Sequence, residues 1–115
     1  MTASNTLTLR NESEYKCINL ADLLYVCVCD YLSSFHSTNN QKFTCTKSLF
    51  EVVSVLPDNF FQINRNCIVN IYAIDSIHPR NRTIRLSNSV EFIVSCRRIK
   101  QLHITLTDHN PTITG

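Results

Sequence analysis

The hydrophobic and polar positions of this chain fall mostly into short segments of strand length. Residues 23–29 form one apolar run, LLYVCVC, which is typical of a strand buried on both faces. Further segments rich in β-branched, aromatic or alternating apolar residues predict strands at residues 15–20, 32–37, 42–46, 60–63, 74–78, 83–87 and 90–94. The pattern therefore predicts a mainly β fold.

Two segments carry helical signals instead. Ser48 and Glu51 have the spacing of a capping box, and Pro57 is expected to end the helix that follows. Its apolar positions have i, i+3, i+4, i+7 spacing and are Leu49, Val52, Val53 and Leu56. Ser95 precedes a second helix, whose apolar side is formed by Ile99, Leu102 and Leu106. Single helical turns are expected at residues 19–22 and 67–70.

The turns must form without glycine, because the one glycine of the chain is Gly115. Asn and Asp tolerate left-handed backbone best after glycine. They occupy the predicted turns at Asp30, Asn39, Asn40, Asp58, Asn59, Asn81 and Asn88.

Length and composition limit the classes of protein that fit. The chain has 115 residues, of which 43% are hydrophobic and 17% charged, so we expect one globular domain. No apolar run reaches the roughly 18 residues that cross a bilayer, and residues 1–9 lack the pattern of a secretory signal. We therefore expect a cytoplasmic protein without a membrane partner.

The six cysteines do not have the spacing of a metal site. They are Cys17, Cys27, Cys29, Cys45, Cys67 and Cys96. Paired ligands two to four residues apart, repeated downstream, would be the usual zinc signature. We interpret the cysteines as small buried hydrophobic residues, with a redox switch or metal site as the open alternative.

No catalytic motif is present in the sequence. It has no glycine-rich phosphate loop, no Gly-x-Ser-x-Gly and no His-Glu-x-x-His, and its four histidines are isolated. We expect neither an enzyme nor a cofactor, metal or small-molecule substrate.

Positive charge is concentrated in the second half of the chain. Residues 1–60 carry four Lys/Arg and six Asp/Glu, whereas residues 61–115 carry seven Lys/Arg and three Asp/Glu. Six of those seven cations are arginine, which is suited to bidentate contact with phosphate or guanine. A solvated surface is the alternative interpretation of the same charges.

Two polar clusters have the chemistry of DNA contact. Asn64, Arg65 and Asn66 follow a predicted strand, and amide and guanidinium groups match adenine and guanine edges. Alternatively, the two Asn side chains bond their own turn. Arg97, Arg98 and Lys100 lie at a predicted helix start, where free N–H groups attract an anion.

Four segments, in the same order, resemble the LytTR family, the DNA-binding domain of LytR/AlgR-type bacterial response regulators. Residues 60–70, FFQINRNCIVN, are similar to the family's FFRIHRSYLVN. Residues 94–100, VSCRRIK, are similar to the closing Val-Ser-Arg-Arg-x-x-Lys, and residues 46–57 resemble the helix before the first motif. Residues 23–26 with Asp30 and Tyr31 resemble the opening strand and turn.

The resemblance implies an elongated fold of small β-sheets with short helices, whose loops enter successive major grooves. It implies that Arg65 and Arg97 occupy DNA-contacting positions, that Tyr31 is close to a third, and that Asn64 stands where many members have His. It also implies dimers on direct-repeat half-sites about one helical turn apart. The implied DNA-binding domain is residues 15–106, with a tail or first strand at 1–14 and a tail at 107–115.

Departures from the family pattern lie in the contact segments themselves. Cys96 replaces the first Arg of the closing pair, and Gln62 and Asn64 replace a usual Arg and His. Cys27 replaces a common Glu. The base preference is therefore expected to differ from that of relatives.

Together these features predict a sequence-specific transcription regulator that binds double-stranded DNA. It is either the output domain of a two-component response regulator or a stand-alone regulator. Arg98, Lys100, Arg80 and Arg82 are expected to contact the DNA backbone, and Arg65, Asn64 and Arg97 the bases. Two alternatives stay open: an interaction module that has lost DNA binding, and a thiol sensor acting through Cys96 or Cys67.

Overall fold

A computed structural model describes residues 5–109 of the chain, and the side chains of residues 5–107. Ten strands are present in this part: β1 Thr6–Arg10, β2 Tyr15–Asn19, β3 Leu23–Cys29, β4 Leu32–Ser37, β5 Lys42–Thr46, β6 Phe60–Asn64, β7 Cys67–Asn70, β8 Ile74–His78, β9 Thr83–Leu86 and β10 Glu91–Ile93. The two α-helices are α1, Leu49–Val55, and α2, Cys96–His109. The mainly β prediction is confirmed, and the principal extents of 44 × 35 × 25 Å agree with an elongated shape.

The strands form three antiparallel sheets. The central sheet has the order β5-β4-β3-β7-β6, the second sheet has the order β10-β9-β8, and β1 pairs with β2 alone. β3 lies in the middle of the central sheet and both of its faces are covered, as its apolar run predicts. An irregularity between Leu23 and Tyr25 shifts the register there. Beyond it, Tyr25 faces one hydrophobic core and Val26 the other.

Each face of the central sheet has its own core. One core joins the sheet to β8–β10 and α2 and includes Ile63, Ile84 and Leu102, each 0% exposed. The other joins it to the β1–β2 hairpin and α1 and includes Phe35 and Val52. Complete burial of one such aliphatic side chain contributes about 1.5–3 kcal/mol. The first core thus fixes α2 and the β8–β9 hairpin against one face of the sheet, and the second fixes the β1–β2 hairpin and α1 against the other.

Strand β7 corrects the prediction of a helical turn at residues 67–70. All four residues are buried, and the segment pairs with both β3 and β6. A four-residue apolar run has no periodicity that distinguishes strand from helix, so pairing between two strands decides the outcome. Asn70 at its end is satisfied internally, since Nδ2 donates to the Leu23 carbonyl and Oδ1 accepts from Asn59 and Tyr72.

Helix α1 has the predicted capping box. The Ser48 hydroxyl accepts from the Glu51 N–H at 3.3 Å, and Glu51 Oε1 accepts from the Ser48 N–H at 2.9 Å. The predicted apolar face is only partly correct, because Val52 is fully buried whereas Val53 is 47% exposed. The helix ends at Val55, too early for a second buried turn.

Helix α2 packs with Leu102 and Leu106, as predicted, and Ile99 is half-buried against the same core. It continues to His109, past the predicted domain boundary at residue 106. No proline or glycine occurs within Cys96–His109, so no helix-breaking residue interrupts α2 at the predicted boundary. Residues 110–115 of the predicted tail lie outside the described residues.

At the other end, β1 falls within the segment 1–14 that was expected to be a tail or a first strand. Leu9 is 1% exposed in the second core, so this strand is part of the packed fold. Residues 1–4 lie outside the described part. Strand β2 and the single turn at Leu20–Asp22, capped by Asn19, agree with the prediction.

Left-handed backbone occurs at five residues of the described part. Asp30, Asn39 and Asn40 are as predicted, with φ of 56°, 62° and 58°. In the other two turns the left-handed residue is Arg82 (φ 54°) or Ser89 (φ 72°), rather than the predicted Asn81 or Asn88. The neighbouring Asn88 stabilises its turn through the side chain, because Oδ1 accepts from the Val90 N–H.

The cysteines are more exposed than predicted. Cys45 and Cys67 are buried and Cys27 is half-buried, but Cys17, Cys29 and Cys96 are exposed. The exposed three lie on the β1–β2 hairpin, at the end of β3 and at the start of α2, where a small residue has no core to enter. Within residues 5–109, no group of three or more His, Cys, Asp or Glu side chains could hold a metal ion.

No helix in the described part is long and apolar enough to cross a membrane.

Candidate nucleic-acid interface

Three chain connections meet at one end of the central sheet. Cys27 pairs with Cys67, so the end of β3 and the start of β7 lie side by side. This register brings the β3–β4 turn (residues 30–31) next to the β6–β7 turn (residues 65–66). Leu32 pairs with Thr46, so the β5–α1 junction lies at the same end. We call this the turn end of the sheet, with Tyr31, Lys47 and Arg65 on its three connections.

The start of α2 is joined to the turn end by hydrogen bonds. The Ser95 N–H donates to the Ile63 carbonyl at 2.9 Å. Arg98 Nη1 donates to the Gln62 carbonyl at 3.2 Å. Ile63 and Gln62 belong to β6, directly before the β6–β7 turn. The two polar clusters, at residues 64–66 and 97–100, are therefore neighbours in the fold although they are far apart in the sequence.

Asn64 holds the β6–β7 turn to the segment before α2. Its Nδ2 donates to the Ile93 carbonyl at 3.0 Å, and its Oδ1 accepts from the Asn66 N–H at 2.8 Å. Both polar atoms of the amide therefore have protein partners. An amide used in this way positions its turn, which is the alternative that the sequence left open for Asn64.

Arg65 and Arg97 have no such partners. Both are exposed, and neither guanidinium forms a hydrogen bond or ion pair with any residue in the 5–109 range. Each keeps all five N–H donors for an external acceptor. A guanidinium presented from a short, internally bonded turn is the group that binds guanine O6 and N7 or a phosphate bidentately.

Arg82, like Arg98, has a protein partner among the described residues, and it differs from Arg65, Arg80 and Arg97 in this respect. It is half-buried with a left-handed backbone, and its Nη1 donates to the Val94 carbonyl at 3.2 Å. Its own carbonyl accepts from the Val94 N–H at 2.7 Å. Arg82 thus fixes the β8–β9 turn against the segment that leads into α2. Arg80 lies in the same turn and is exposed.

Lys100 lies one helical turn beyond Arg97, so the two cations share a face of α2. Lys100 also borders an open apolar groove of about 380 Å³ with Ile77, Pro79, Ile99 and His103. The exposed residues Arg65, Arg97 and Lys100 form a cationic surface. It extends from the β6–β7 turn along the first turns of α2 toward the β8–β9 hairpin.

Tyr31 projects from the β3–β4 turn and is 70% exposed. Asp30 beside it is exposed and takes up the left-handed backbone that closes the turn. Its carboxylate places an acidic group beside Tyr31, and Glu12 of the β1–β2 turn is a second acidic residue near this end of the sheet.

Lys47 is a further cation of the turn end, and it was not among the residues predicted to contact DNA. Its carbonyl accepts from the Ser33 hydroxyl, which fixes the β5–α1 junction beside the β3–β4 turn. Lys47 lies between Thr46 and Ser48 with no other cation adjacent in the sequence, so no cluster of charge indicated a role in binding. The register between Leu32 and Thr46 is the signal that brings it to the turn end.

The one ion pair in the described part of the chain is Arg85 Nε to Glu91 Oε2 at 3.7 Å, between β9 and β10. Both side chains are about half exposed, at 46% and 59%, so screening makes its contribution small. Arg85 therefore has an acidic partner on β10, whereas Arg65 and Arg97 have none in the described residues.

Comparison with known proteins agrees with this arrangement. The sequence profile of the LytTr DNA-binding domain family matches residues 13–107. Among solved structures, the fold is similar to a domain described as the LytTr DNA-binding domain of a methyl-accepting/DNA response regulator from Bacillus cereus. The TM-score is 0.72 at 22% identity, and the match covers 90% of this chain and 97% of that chain. No curated protein matches the sequence.

The matched residues include β2 to β10, α1, the part of α2 up to residue 107 and every connection of the turn end. The chain therefore belongs to the LytTr family of DNA-binding domains.

Proposed function

We propose that this chain is a sequence-specific transcription regulator domain that binds duplex DNA through its turn end and the start of α2. The observation that carries the proposal is the pair Arg65 and Arg97. Both are exposed and without protein partners, and they extend from segments joined by the Ser95–Ile63 hydrogen bond. Two guanidinium groups held in a fixed relation can contact bases at defined positions.

The cations have two different roles in this proposal. Arg65 and Arg97 contact base edges, and Arg98, Lys100 and Arg80 contact phosphates. Arg98 differs from Arg82 in being exposed, and it keeps four of its five N–H donors beside the one given to the Gln62 carbonyl. Phosphate contacts set the register of the domain on DNA, and base contacts supply the preference for sequence. Tyr31 contacts the DNA from the neighbouring turn.

Asn64 and Arg82 are positioning residues in this assignment rather than contacts. Each already bonds the segment that leads into α2, Asn64 through Ile93 and Arg82 through Val94. This assignment departs from the sequence-based prediction, which gave Asn64 to the bases and Arg82 to the backbone.

The dimensions of the turn end suit a major groove. The β3–β4 and β6–β7 turns are centred about two strand spacings apart, or roughly 10 Å. A major groove is about 12 Å wide, so one turn fits within it while the other approaches its wall. We further propose binding in pairs to direct repeats about one helical turn apart, within the bacterial cytoplasm.

We propose that the DNA-binding domain, predicted at residues 15–106, also includes β1, because Leu9 of that strand is buried in its core.

Fluorescence anisotropy with randomised duplex DNA, titrated at several salt concentrations and followed by selection and sequencing, tests this function. We expect a negative log–log salt slope that reports the phosphates neutralised, together with an enriched sequence motif. Binding without any enriched motif would contradict base contact by Arg65 and Arg97. Absence of binding even near 50 mM salt would contradict DNA binding altogether.

A second candidate function is protein interaction without DNA binding. Exposed apolar side chains on α1 favour it, since Phe50 is 82% exposed and Val53 47%. A Phe50→Ser variant distinguishes the two functions, because it removes the exposed ring that a protein partner would contact, whereas α1 carries none of the proposed DNA contacts. DNA affinity should be unchanged by this substitution.

A further inference from the structure

Cys27 and Cys67 lie directly opposite each other on β3 and β7, with their Sγ atoms 3.5 Å apart. The Val28 N–H donates to the Asn66 carbonyl at 2.8 Å, so the adjacent pair Cys27–Cys67 occupies a non-hydrogen-bonded position of the ladder. At such positions the Cα atoms are about 4.5 Å apart, which lies within the range of disulfide-bonded residues. This spacing permits a disulfide, but it is shorter than the most common separation of about 5.5–6 Å, so closing the bond moves the two strands apart at this point.

The two thiols are chemically unequal. The hydrogen bond from Cys67 lowers the pKa of Cys27, despite an opposing effect of burial. The same contact, with burial, raises the pKa of Cys67 far above the ordinary thiol value. Cys27 is also the more accessible of the two. The thiolate, which is the nucleophile, is thus favoured on the sulfur that an oxidant meets first.

Cys67 is the first residue after the β6–β7 turn, and it pairs with Asn64 across that turn. The sulfur contact therefore lies at the base of the turn that carries Arg65. Of the remaining cysteines, Cys17, Cys29 and Cys96 are exposed and Cys45 belongs to the other core, so none is part of this pair.

We propose that Cys27 and Cys67 form a reversible intramolecular disulfide, and that its formation weakens DNA binding by moving the β6–β7 turn. The second half of this proposal rests on the function proposed above. The first half concerns the two sulfurs alone and is tested without DNA.

Forming the disulfide requires a two-electron oxidant, and a hydroperoxide such as hydrogen peroxide is the class that we propose. The Cys27 thiolate attacks a peroxide oxygen, which breaks the O–O bond, gives a sulfenic acid and releases hydroxide that takes a proton to form water. The Cys67 sulfur then attacks the Cys27 sulfur, and the S–S bond forms as a second water leaves with the Cys67 proton. Two thiols are oxidised and one peroxide is reduced, and a small dithiol reverses the change by exchange.

Closing the bond shortens the sulfur separation to about 2.05 Å. Contacts of a binding site depend on positions held within about 0.5 Å, so moving β3 and β7 from a Cα spacing of about 4.5 Å toward the usual disulfide spacing displaces Arg65. We expect DNA affinity to fall by about tenfold, within the range for one lost bidentate contact.

The experiment uses the full chain with Cys17, Cys29 and Cys96 changed to Ser, which leaves Cys27, Cys67 and Cys45. After treatment with peroxide, intact mass should decrease by two hydrogen atoms, and peptide mapping should link the Cys27 and Cys67 peptides. The linked protein should unfold about 10 °C higher than its reduced form, because the bond closes a long loop in the unfolded chain. Both changes should reverse with dithiothreitol.

Cys27→Ser and Cys27→Ala in the same background are the matched controls, and both should lose the link and the thermal shift. Failure of the link to form under peroxide, or linkage through Cys45, would overturn the proposal. If the link forms while DNA affinity stays unchanged, coupling to the β6–β7 turn is wrong. If neither the reduced nor the oxidised form binds DNA, the proposed function fails, and the mass and unfolding data still decide on the disulfide.

Discussion

The side-chain amide of Asn64 joins two segments that are 29 residues apart, since Nδ2 donates to the Ile93 carbonyl at 3.0 Å. The same amide accepts from the Asn66 N–H through Oδ1. One side chain thus fixes both the shape of the β6–β7 turn and its distance from α2. Arg65 lies in this turn, and Arg97 lies at the start of α2, the helix that follows Ile93 in the chain.

Replacing Asn64 with Ala should lower the free energy of unfolding by about 1–2 kcal/mol, because two hydrogen bonds are lost. DNA affinity should decrease for all sequences in similar proportion, since the arginines lose their fixed relation. Thermal unfolding and anisotropy with several duplexes measure the two effects. Unchanged stability combined with an altered base preference at one position would instead identify Asn64 as a base contact.

Replacing Arg65 with Ala should cost about 1–3 kcal/mol of binding on the selected site and relax the preference for one base pair. The guanidinium has no protein partner, so its loss should leave the unfolding midpoint unchanged. Lys42→Ala is the matched control, because Lys42 begins β5 at the opposite end of the sheet. An equal loss of affinity in both variants would indicate a general effect of charge and contradict the base contact.

Replacing Lys100 with Ala should weaken binding to all duplexes alike. One phosphate contact fewer reduces the log–log salt slope by about one unit. Anisotropy titrations between about 50 and 200 mM salt, on the selected site and on a random duplex, measure this slope. A slope equal to that of the parent would exclude Lys100 from the phosphate contacts.

Replacing Asp30 with Asn should increase DNA affinity. The change removes a carboxylate next to Tyr31 and retains a side chain that tolerates left-handed backbone, which Asp30 has at φ 56°. The expected gain is about 0.5 kcal/mol at low salt and should disappear as salt screens the charge. Affinity unchanged at low salt would show that the β3–β4 turn lies away from the DNA.

His36 should make stability depend on pH. Its ring stacks on Tyr25 with centroids 4.3 Å apart, and burial, followed by the charge of Lys42, lowers its pKa. The unfolded chain then binds a proton at higher pH than the folded chain does. The stabilising contribution is therefore complete above the ordinary histidine pKa of about 6.5 and is lost as pH falls toward the lowered value.

Denaturant unfolding of the parent and of His36→Phe, at pH values above and below about 6.5, measures this effect. Phe keeps an aromatic ring beside Tyr25 but does not titrate. We expect the parent to lose more stability than His36→Phe on acidification. Parallel losses in both proteins would assign the pH dependence to other groups.

Much of the fold could be predicted from the sequence, because the decisive interactions are local. The capping pair Ser48 and Glu51 lies within one turn of helix, and the left-handed tolerance of Asp30 is a property of that residue alone. The apolar run of β3 and the spacing of Leu102 and Leu106 in α2 likewise indicated which segments enter the core. The order of contact motifs indicated the family, which the profile match confirmed.

Other features depend on partners distant in the sequence, and only the tertiary structure decided them. Residues 67–70 became a strand because β3 and β6 pair with them on both sides. Asn64 and Arg82 bond carbonyl groups of residues 93 and 94, so they differ from Arg65 although their local sequences look alike. The sulfur contact of Cys27 with Cys67 likewise spans 40 residues. Such pairings follow from sheet register, and a single sequence fixes which residues are polar or apolar without fixing that register.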